Sequence, residues 1–407
     1  MAEHNHEDIS AWILDQGLRG APLDVIVAGF CQRLRAAGHP LRRASVSLRT
    51  LHPQYGAHTL VWNAKDGSLS REVHVHRETE SDEFLRSPIY HLVHGPKTAI
   101  RCRLDGRPLE VDFPFVADLR AQGYTDYAAT IVRFAEQQDF QSIEGIFFSC
   151  ATDFKDGFSD EDLTWSGELL PLLALALKSA SLQEVAVNIA EAYLGKDAGH
   201  QVLRGKVNRG SVESIDAVIL FADLRGFTAA TDALPREIVV ERLNRYFDCI
   251  VLPVEQYGGQ VLKFLGDGLL ATFALEAGHS VKDVCAAALN AAGIASSQVA
   301  AFNRELELQG EGTMALDVAL HLGDVMYGNV GAADRLDFTV IGPAVNEASR
   351  IEALCGPLDR NLLISGNFVE AIGDDGGRFV SLGFHLLRGV SGQREIFGVS
   401  DGARSMA

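Results

Sequence analysis

The sequence predicts an α+β protein of two domains, and three observations carry that. Apolar residues recur at helical spacing in some segments and at strand alternation in others, along the whole chain. A length of 407 residues exceeds one domain of roughly 150 residues. A weakly patterned stretch, Gly205-Lys-Val-Asn-Arg-Gly210, separates a less regular first half from a second half where strand, helix, hairpin, helix and strand follow in clear order.

The first half opens with helical spacing over 11–36 (Ile13, Leu14, Leu18, then Val25, Ile26, Phe30, Leu34). Ala44 to Leu51 alternates as a strand. So do Thr59 to Trp62 and Glu72 to Val75, on either side of the turn signal Lys65-Asp66-Gly67. Further strands are predicted at 109–115, 127–134 and 143–150. Phe158-Ser159-Asp160 is a capping signal for a helix over 160–185. Val185, Val187, Ile189, Ala192, Tyr193 and Leu194 then keep helical spacing up to Gly195, which predicts a connector helix over 184–203. The expected organisation is a domain at 1–183, a connector and linker at 184–212, and a second domain at 213–400.

In the second half an apolar strand over 216–222 leads into Leu224-Arg-Gly-Phe-Thr228. Pro235 sits at a favourable first-turn position for a helix over 235–256. Gly266-Asp267-Gly268 reads as a tight hairpin between strands 260–265 and 269–273. A long Ala-rich helix (279–306), strands at 315–322 and 336–341, and a helix over 343–354 come next. A strand near 361–364, a short helix near 366–372 and a terminal hairpin complete the order.

Composition narrows function. The net charge is −18, which disfavours nucleic acid or an anionic membrane as partner, because neutralising phosphates needs a basic surface. It also repels an anionic substrate unless metal ions or a local basic site intervene. The densest apolar run, Leu169 to Leu177, is interrupted by Pro171 and stops at Lys178, so no membrane span is expected. The polar, acidic N-terminus lacks a signal layout. Cys31, Cys102, Cys150, Cys249, Cys285 and Cys355 are scattered without a CxxC, as expected of reduced thiols in a cytoplasmic protein.

Two carboxylates stand out by position. Asp223 ends the apolar string VILFAD, and Asp267 sits at a hairpin tip. An aspartate in a turn ordinarily just caps it. If the two strands are neighbours, however, the carboxylates converge and can hold two Mg²⁺ ions that recruit phosphate oxygens. Asn346 and Arg350 lie one helical turn apart and so share a helix face.

The strings VILFADLRGFT (218–228), VLKFLGDGLLATF (261–273) and DFTVIGPAVNEASRIE (337–352) resemble the class III adenylate/guanylate cyclase catalytic domain over about 217–400. The resemblance implies a ferredoxin-like α+β core, with Asp223 and Asp267 as ligands of two divalent metal ions (Mg²⁺ or Mn²⁺). It implies a phosphate-binding turn over Leu224, Gly226, Phe227 and Thr228, where backbone N–H groups face the triphosphate; core packing is the plainer role for Phe227. Lys263 and Thr339 match the family's base-selecting pair. An ammonium donates to adenine's ring acceptor and a hydroxyl accepts from its exocyclic amine, whereas guanine presents an N–H that a lysine cannot accept. The threonine resembles a subgroup called IIIb, several members of which respond to bicarbonate. Asn346 is implied to orient the ribose and Arg350 to stabilise transition-state charge, since a planar guanidinium spreads over phosphate oxygens. Arg388 lies where many relatives have a phosphate-contacting lysine.

The resemblance implies adenylate cyclase activity. The 3′-hydroxyl of ATP attacks the α-phosphorus and pyrophosphate leaves, with one ion activating the hydroxyl and the other neutralising the leaving group. In such enzymes one protomer gives the two aspartates and the other gives Lys263, Thr339, Asn346 and Arg350, so a homodimer with two equivalent sites is expected. The rivals are a guanylate cyclase and a nucleotide-binding regulatory protein that has lost catalysis.

The first half carries no catalytic motif. Its element order, and GIFFSCATDFKDGFSDEDLTWSGELLPLLALAL at 145–177, resemble a GAF-type sensor domain. This implies either an unidentified small-molecule ligand or a dimerisation unit, with the connector coupling it to the cyclase. Gly266 to Ala271 fits GxGxxA, but Leu269 to Phe273 reads as a strand and not the helix a dinucleotide site needs. His74 and His76 share a strand face without a third metal ligand, and His4 and His6 read as a disordered tail.

Overall fold

The computed structural model describes residues 2–76, 81–105, 113–134, 145–275, 278–374 and 377–400. Its contacts divide the chain into two units, residues 1–189 and 190–407.

In the first unit, helices α1 (Ala2–Arg19) and α2 (Leu23–Ala36) precede strands β1 (Arg43–Arg49), β2 (Tyr55–Asn63) and β3 (Leu69–Val75). Short helices α3 (Asp82–Leu85) and α4 (Pro88–His94), strand β4 (Ala99–Arg103) and helix α5 (Pro114–Ala121) come next. Strands β5 (Asp126–Arg133) and β6 (Gly145–Thr152) then lead to helix α6 (Asp160–Leu194). The six strands form an antiparallel sheet in the order β3-β2-β1-β6-β5-β4. One core joins α1, α2 and α6 to the sheet through Ile13, Phe30, Val46, Trp62, Phe148, Leu173 and Leu177. A second holds Leu92, Phe113, Val116, Tyr127 and Phe147.

Several expectations change here. His6 lies on helix α1 and not in a disordered tail. Of the strand expected at 109–115, residues 109–112 lie outside the described part and 114–115 begin a helix. Residues 143–144 of the strand expected at 143–150 also lie outside it. The closing helix and the first part of the expected connector, to Leu194, join into one 35-residue helix, α6, while residues 196–203 form a separate helix beyond Gly195. The apolar residues of α6 do not keep to one face along its length, so no change of face marks an end. By length and apolarity α6 and a helix of the second unit, Val281–Leu308, both reach the range of a membrane-crossing helix. Both also put residues into the cores of their own units. His74 accepts or donates at 3.0 Å to Thr59, and His76 bonds the His52 carbonyl at 2.9 Å. None of the six cysteines is in a disulfide.

The second unit begins, after Gly195 at φ 84°, with helix α7 (Lys196–Leu203). Then come strand β7 (Val212–Arg225), helices α8 (Phe227–Ala233) and α9 (Arg236–Gln256), hairpin strands β8 (Gln260–Leu265) and β9 (Gly268–Ala274), and helix α10 (Val281–Leu308). Strands β10 (Ala315–Gly331) and β11 (Leu336–Ile341), helix α11 (Pro343–Glu352), strand β12 (Leu362–Ser365), helix α12 (Gly366–Ile372) and hairpin β13 (Phe379–Leu386) and β14 (Gln393–Val399) close it. The sheet order is β13-β14-β12-β10-β7-β9-β8, with β11 on the far end of β10. The run β7-α9-β8-β9-α10-β10, with β7 and β9 central, is the ferredoxin-like βαββαβ plan.

Alternation along β7 explains both layers. Val218, Leu220, Ala222 and Leu224 enter the core under α9, α10 and α12. Ala217 and Ile219 face the other way, into a core with Ala198 of α7 and Ala344 and Ala348 of α11. Asp223 continues that second set. Helix α7 is thus part of this unit: Ala198 is buried, and Tyr327 donates to Asp197 at 2.8 Å.

Candidate active site

The two central strands place the aspartates. Strands β7 and β9 pair from Ala217↔Ala274 to Ala222↔Leu269, so Asp223 and the β8–β9 turn meet at one sheet end. That turn has two residues, and Gly266 takes φ 72°, as a type II′ hairpin requires at its first position. Asp267 follows at the tip. Gly268 permits the approach, because a Cβ there would lie 2.9 Å from Asp223 Oδ1 and 2.6 Å from the Ala222 carbonyl.

Carboxylates gather here. Burial, then the charge of Asp267, pushes the Asp223 carboxyl above the usual range; Asp317, its cross-strand partner, adds to this. Glu352, the last residue of α11, is pushed up to about 7 by burial and then by Asp223, Asp317 and Asp267. Arg225 is the counter-charge, forking onto Asp317 at 2.8 and 2.5 Å; Asn361 adds a bond to Asp317 at 3.2 Å. No cation is paired with Asp223 or Asp267 in the ion pairs of the described residues. Among those residues no group of three or more His, Cys, Asp or Glu is arranged as a metal site. Two hard carboxylates crowded together nonetheless suit Mg²⁺ or Mn²⁺, which take few protein ligands and fill the rest with water and phosphate oxygen.

The phosphate stretch is part strand and part helix. Leu224 is buried in the main core, Gly226 adopts φ 99° as the residue before α8, and Phe227 packs against that core. Thr228 is exposed in the first turn of α8.

A β-bulge sets Lys263. Pairing of β8 with β9 runs Val261↔Ala271 and then Lys263↔Leu270, skipping one residue. The bulge re-aims the lysine, onto the face shared with Leu270. There Lys263 Nζ lies 2.6 Å from Asp337 Oδ2 on β11, and the ammonium holds the Asp337 carboxyl below its usual range. Thr339 is two residues along β11, on the same strand face as Asp337, while Phe338 and Val340 point into the core.

Helix α11 presents Asn346 and Arg350 on its exposed face, opposite buried Ala344, Glu347, Ala348 and Ile351. Arg388 is exposed in the loop between β13 and β14. Sequence reasoning did not single out Asp317, Asp337, Glu352 or the Arg225 fork. Only Asp337 had a local signal, its alternation with Thr339.

Residues 211–397 match the family described as the adenylate and guanylate cyclase catalytic domain. An adenylate cyclase of Anabaena cylindrica is 34% identical over 165 residues, which are 40% of this chain and 32% of that protein. An uncharacterised protein of Mycobacterium tuberculosis is 31% identical over 191 residues, 47% of this chain and 34% of that protein. The chain therefore spans about a third of these relatives. Among solved structures, the adenylyl cyclase CyaB of P. aeruginosa is 26% identical with TM-score 0.43, covering 47% of this chain and 96% of that one. The guanylyl cyclase Cya2 is 28% identical with TM-score 0.40, covering 47% and 95%. The family match and the sequence relatives support a class III cyclase catalytic domain in the second half of the chain.

Proposed function

We propose that the chain is a cytoplasmic adenylate cyclase, converting ATP to 3′,5′-cyclic AMP and pyrophosphate at sites shared across a homodimer. The observation that carries the choice of base is the edge built by β8 and β11. A lysine ammonium re-aimed by a bulge stands 2.6 Å from the Asp337 carboxylate, with Thr339 two residues on. Adenine offers a ring acceptor beside an exocyclic donor, which such a donor and its neighbouring acceptors match; guanine reverses the pattern.

Asp223 and Asp267 would hold the divalent ions, whose chemistry, when bound, is to make the 3′-hydroxyl acidic and to neutralise the departing phosphates. The chain's own residues position and neutralise. Backbone N–H groups after Gly226 face the triphosphate, Asn346 orients the ribose, and Arg350, with Arg388, spreads its charge over phosphate oxygens. Positioning and charge stabilisation supply most of the rate.

Residues 1–183 act in this reading as a GAF-like regulatory domain, through the 184–212 connector to the 213–400 catalytic domain. Its small-molecule ligand, the sign of its effect and any bicarbonate response go with that proposal. The test is cyclic product from ATP and from GTP, with Mg²⁺ or Mn²⁺, using the full chain. A kcat/KM at least tenfold higher for ATP is expected. Predominant cyclic GMP overturns the base assignment; nucleotide binding without cyclic product favours a regulatory protein instead.

A further inference from the structure

Helix α11 buries a charge immediately beside the residue assigned to the ribose. Its inward face is Ala344, Glu347, Ala348 and Ile351, and Glu347 is only 8% exposed. The helix sits close because Gly323 of β10 leaves room; a Cβ there would lie 2.6 Å from that of Ala344. A carboxylate so buried needs a partner. His321 on β10 is near and 2% exposed, but burial lowers its proton affinity and its Nδ1 has no partner. The cation comes from the terminal hairpin instead. Arg394 at the start of β14 donates from Nε to Glu347 Oε1 at 2.5 Å.

The same guanidinium donates from Nη1 to the Ser391 carbonyl at 3.1 Å. Ser391 lies in the loop that carries Arg388. On its apolar side this loop is held by Leu387, which shares a core with Ile351 and Ile396. On its polar side Arg394 is the link, one hand on the loop and one on the helix.

We infer that Arg394 is a positioning residue: through Glu347 and Ser391 it fixes the Arg388 loop against the helix that bears Asn346 and Arg350. This rests on the cyclase reading, in which Arg350 and Arg388 address one triphosphate. Their relative placement then sets how charge is met in the transition state, where misplacement by about 1 Å costs on the order of a hundredfold. Glu347 follows Asn346 directly, so a shift of its carboxylate moves the ribose contact as well.

The experiment uses the full chain and three variants: Arg394→Ala, Arg394→Lys, and the apolar pair Glu347→Leu with Arg394→Leu. Arg394→Ala should lower kcat at least tenfold with KM for ATP within threefold, and Arg394→Lys should recover part of it. Glu347 is buried while the Arg394 side chain keeps 38% exposure, and replacing a pair with a buried member by apolar residues is often neutral for stability. The double variant should therefore melt near the wild type and still turn over slowly, which also covers an alanine variant that fails to fold. Wild-type kcat in a stable double variant would show the pair to be packing only and overturn the inference. Hydrogen exchange separates this from failure of the cyclase reading. Faster exchange at both 343–352 and 387–392 in Arg394→Ala supports the link even if the wild type makes no cyclic nucleotide. Unchanged exchange at both sinks it.

Discussion

Asp223→Asn should raise stability and cut turnover steeply, and the opposed signs make it the sharpest test of the acidic cluster. The magnitude comes from Glu352, whose proton affinity moves from 4.5 to about 7. At about 1.4 kcal/mol per decade that is about 3 kcal/mol. Burial is the largest cause, and Asp223 leads the three carboxylates that follow; repulsion between two such partly exposed charges is on the order of 0.5–1 kcal/mol. Asparagine keeps the shape and an acceptor for the Leu224 N–H while removing the charge. Without divalent ions at pH 8, the second unit should melt about 1–4 °C higher than wild type. Carboxyls raised in the folded state hold protons that the unfolded chain has lost, so ion-free stability should fall as pH climbs from about 4.5 to 7. The variant should flatten that fall. Turnover should drop about 10²–10³-fold, the equivalent of losing about 3–4 kcal/mol of charge stabilisation. Added Mg²⁺ should raise the wild-type melting temperature and leave the variant nearly unmoved. Calorimetry with and without chelator, beside a cyclic-nucleotide assay, reads all of this. A variant that melts below wild type without ions would make Asp223 a structural residue, and turnover within threefold of wild type would remove the metal role.

Two further predictions concern assembly and the unit's limits. Mixing an Asp223 variant with an Arg350 variant should restore part of the lost activity, because one of the two shared sites is then intact; no recovery in verified heterodimers argues that each chain works alone. Residues 190–407 should fold as a unit, whereas starting at 205 strips α7, uncovers the core around Ala198 and removes the Asp197–Tyr327 bond of 2.8 Å. The shorter piece should lose about 2 kcal/mol and melt about 4–8 °C lower; equal melting temperatures would show α7 to be dispensable.

The hairpin at Gly266-Asp267 was legible because its turn chemistry and the alternation on both sides are local. Convergence of Asp223 with Asp267 was not local. It depends on β7 and β9 being neighbours, which the residues alone left conditional and which the resemblance supplied. Lys263 was found by the same resemblance, but the bulge that turns it toward Asp337 leaves no mark in a period-two pattern. The resemblance therefore named the residue without its partner. Glu352 and Asp317 were invisible for a related reason: their proximity to Asp223 is set by where α11 ends over the sheet and by the β7–β10 register. In the first half the sequence failed differently. The apolar residues of helix α6 keep to no single face, so closing and connecting segments could not be told apart, and the break falls at Gly195 with φ 84°. Glu347 joins these cases. A glutamate at that helix position reads as a solvated surface residue until Arg394, 47 residues away in sequence, is placed against it. Local chemistry thus named the groups that face a nucleotide, while the charges that crowd, pair or fix those groups come from tertiary contacts that no short-range spacing encodes.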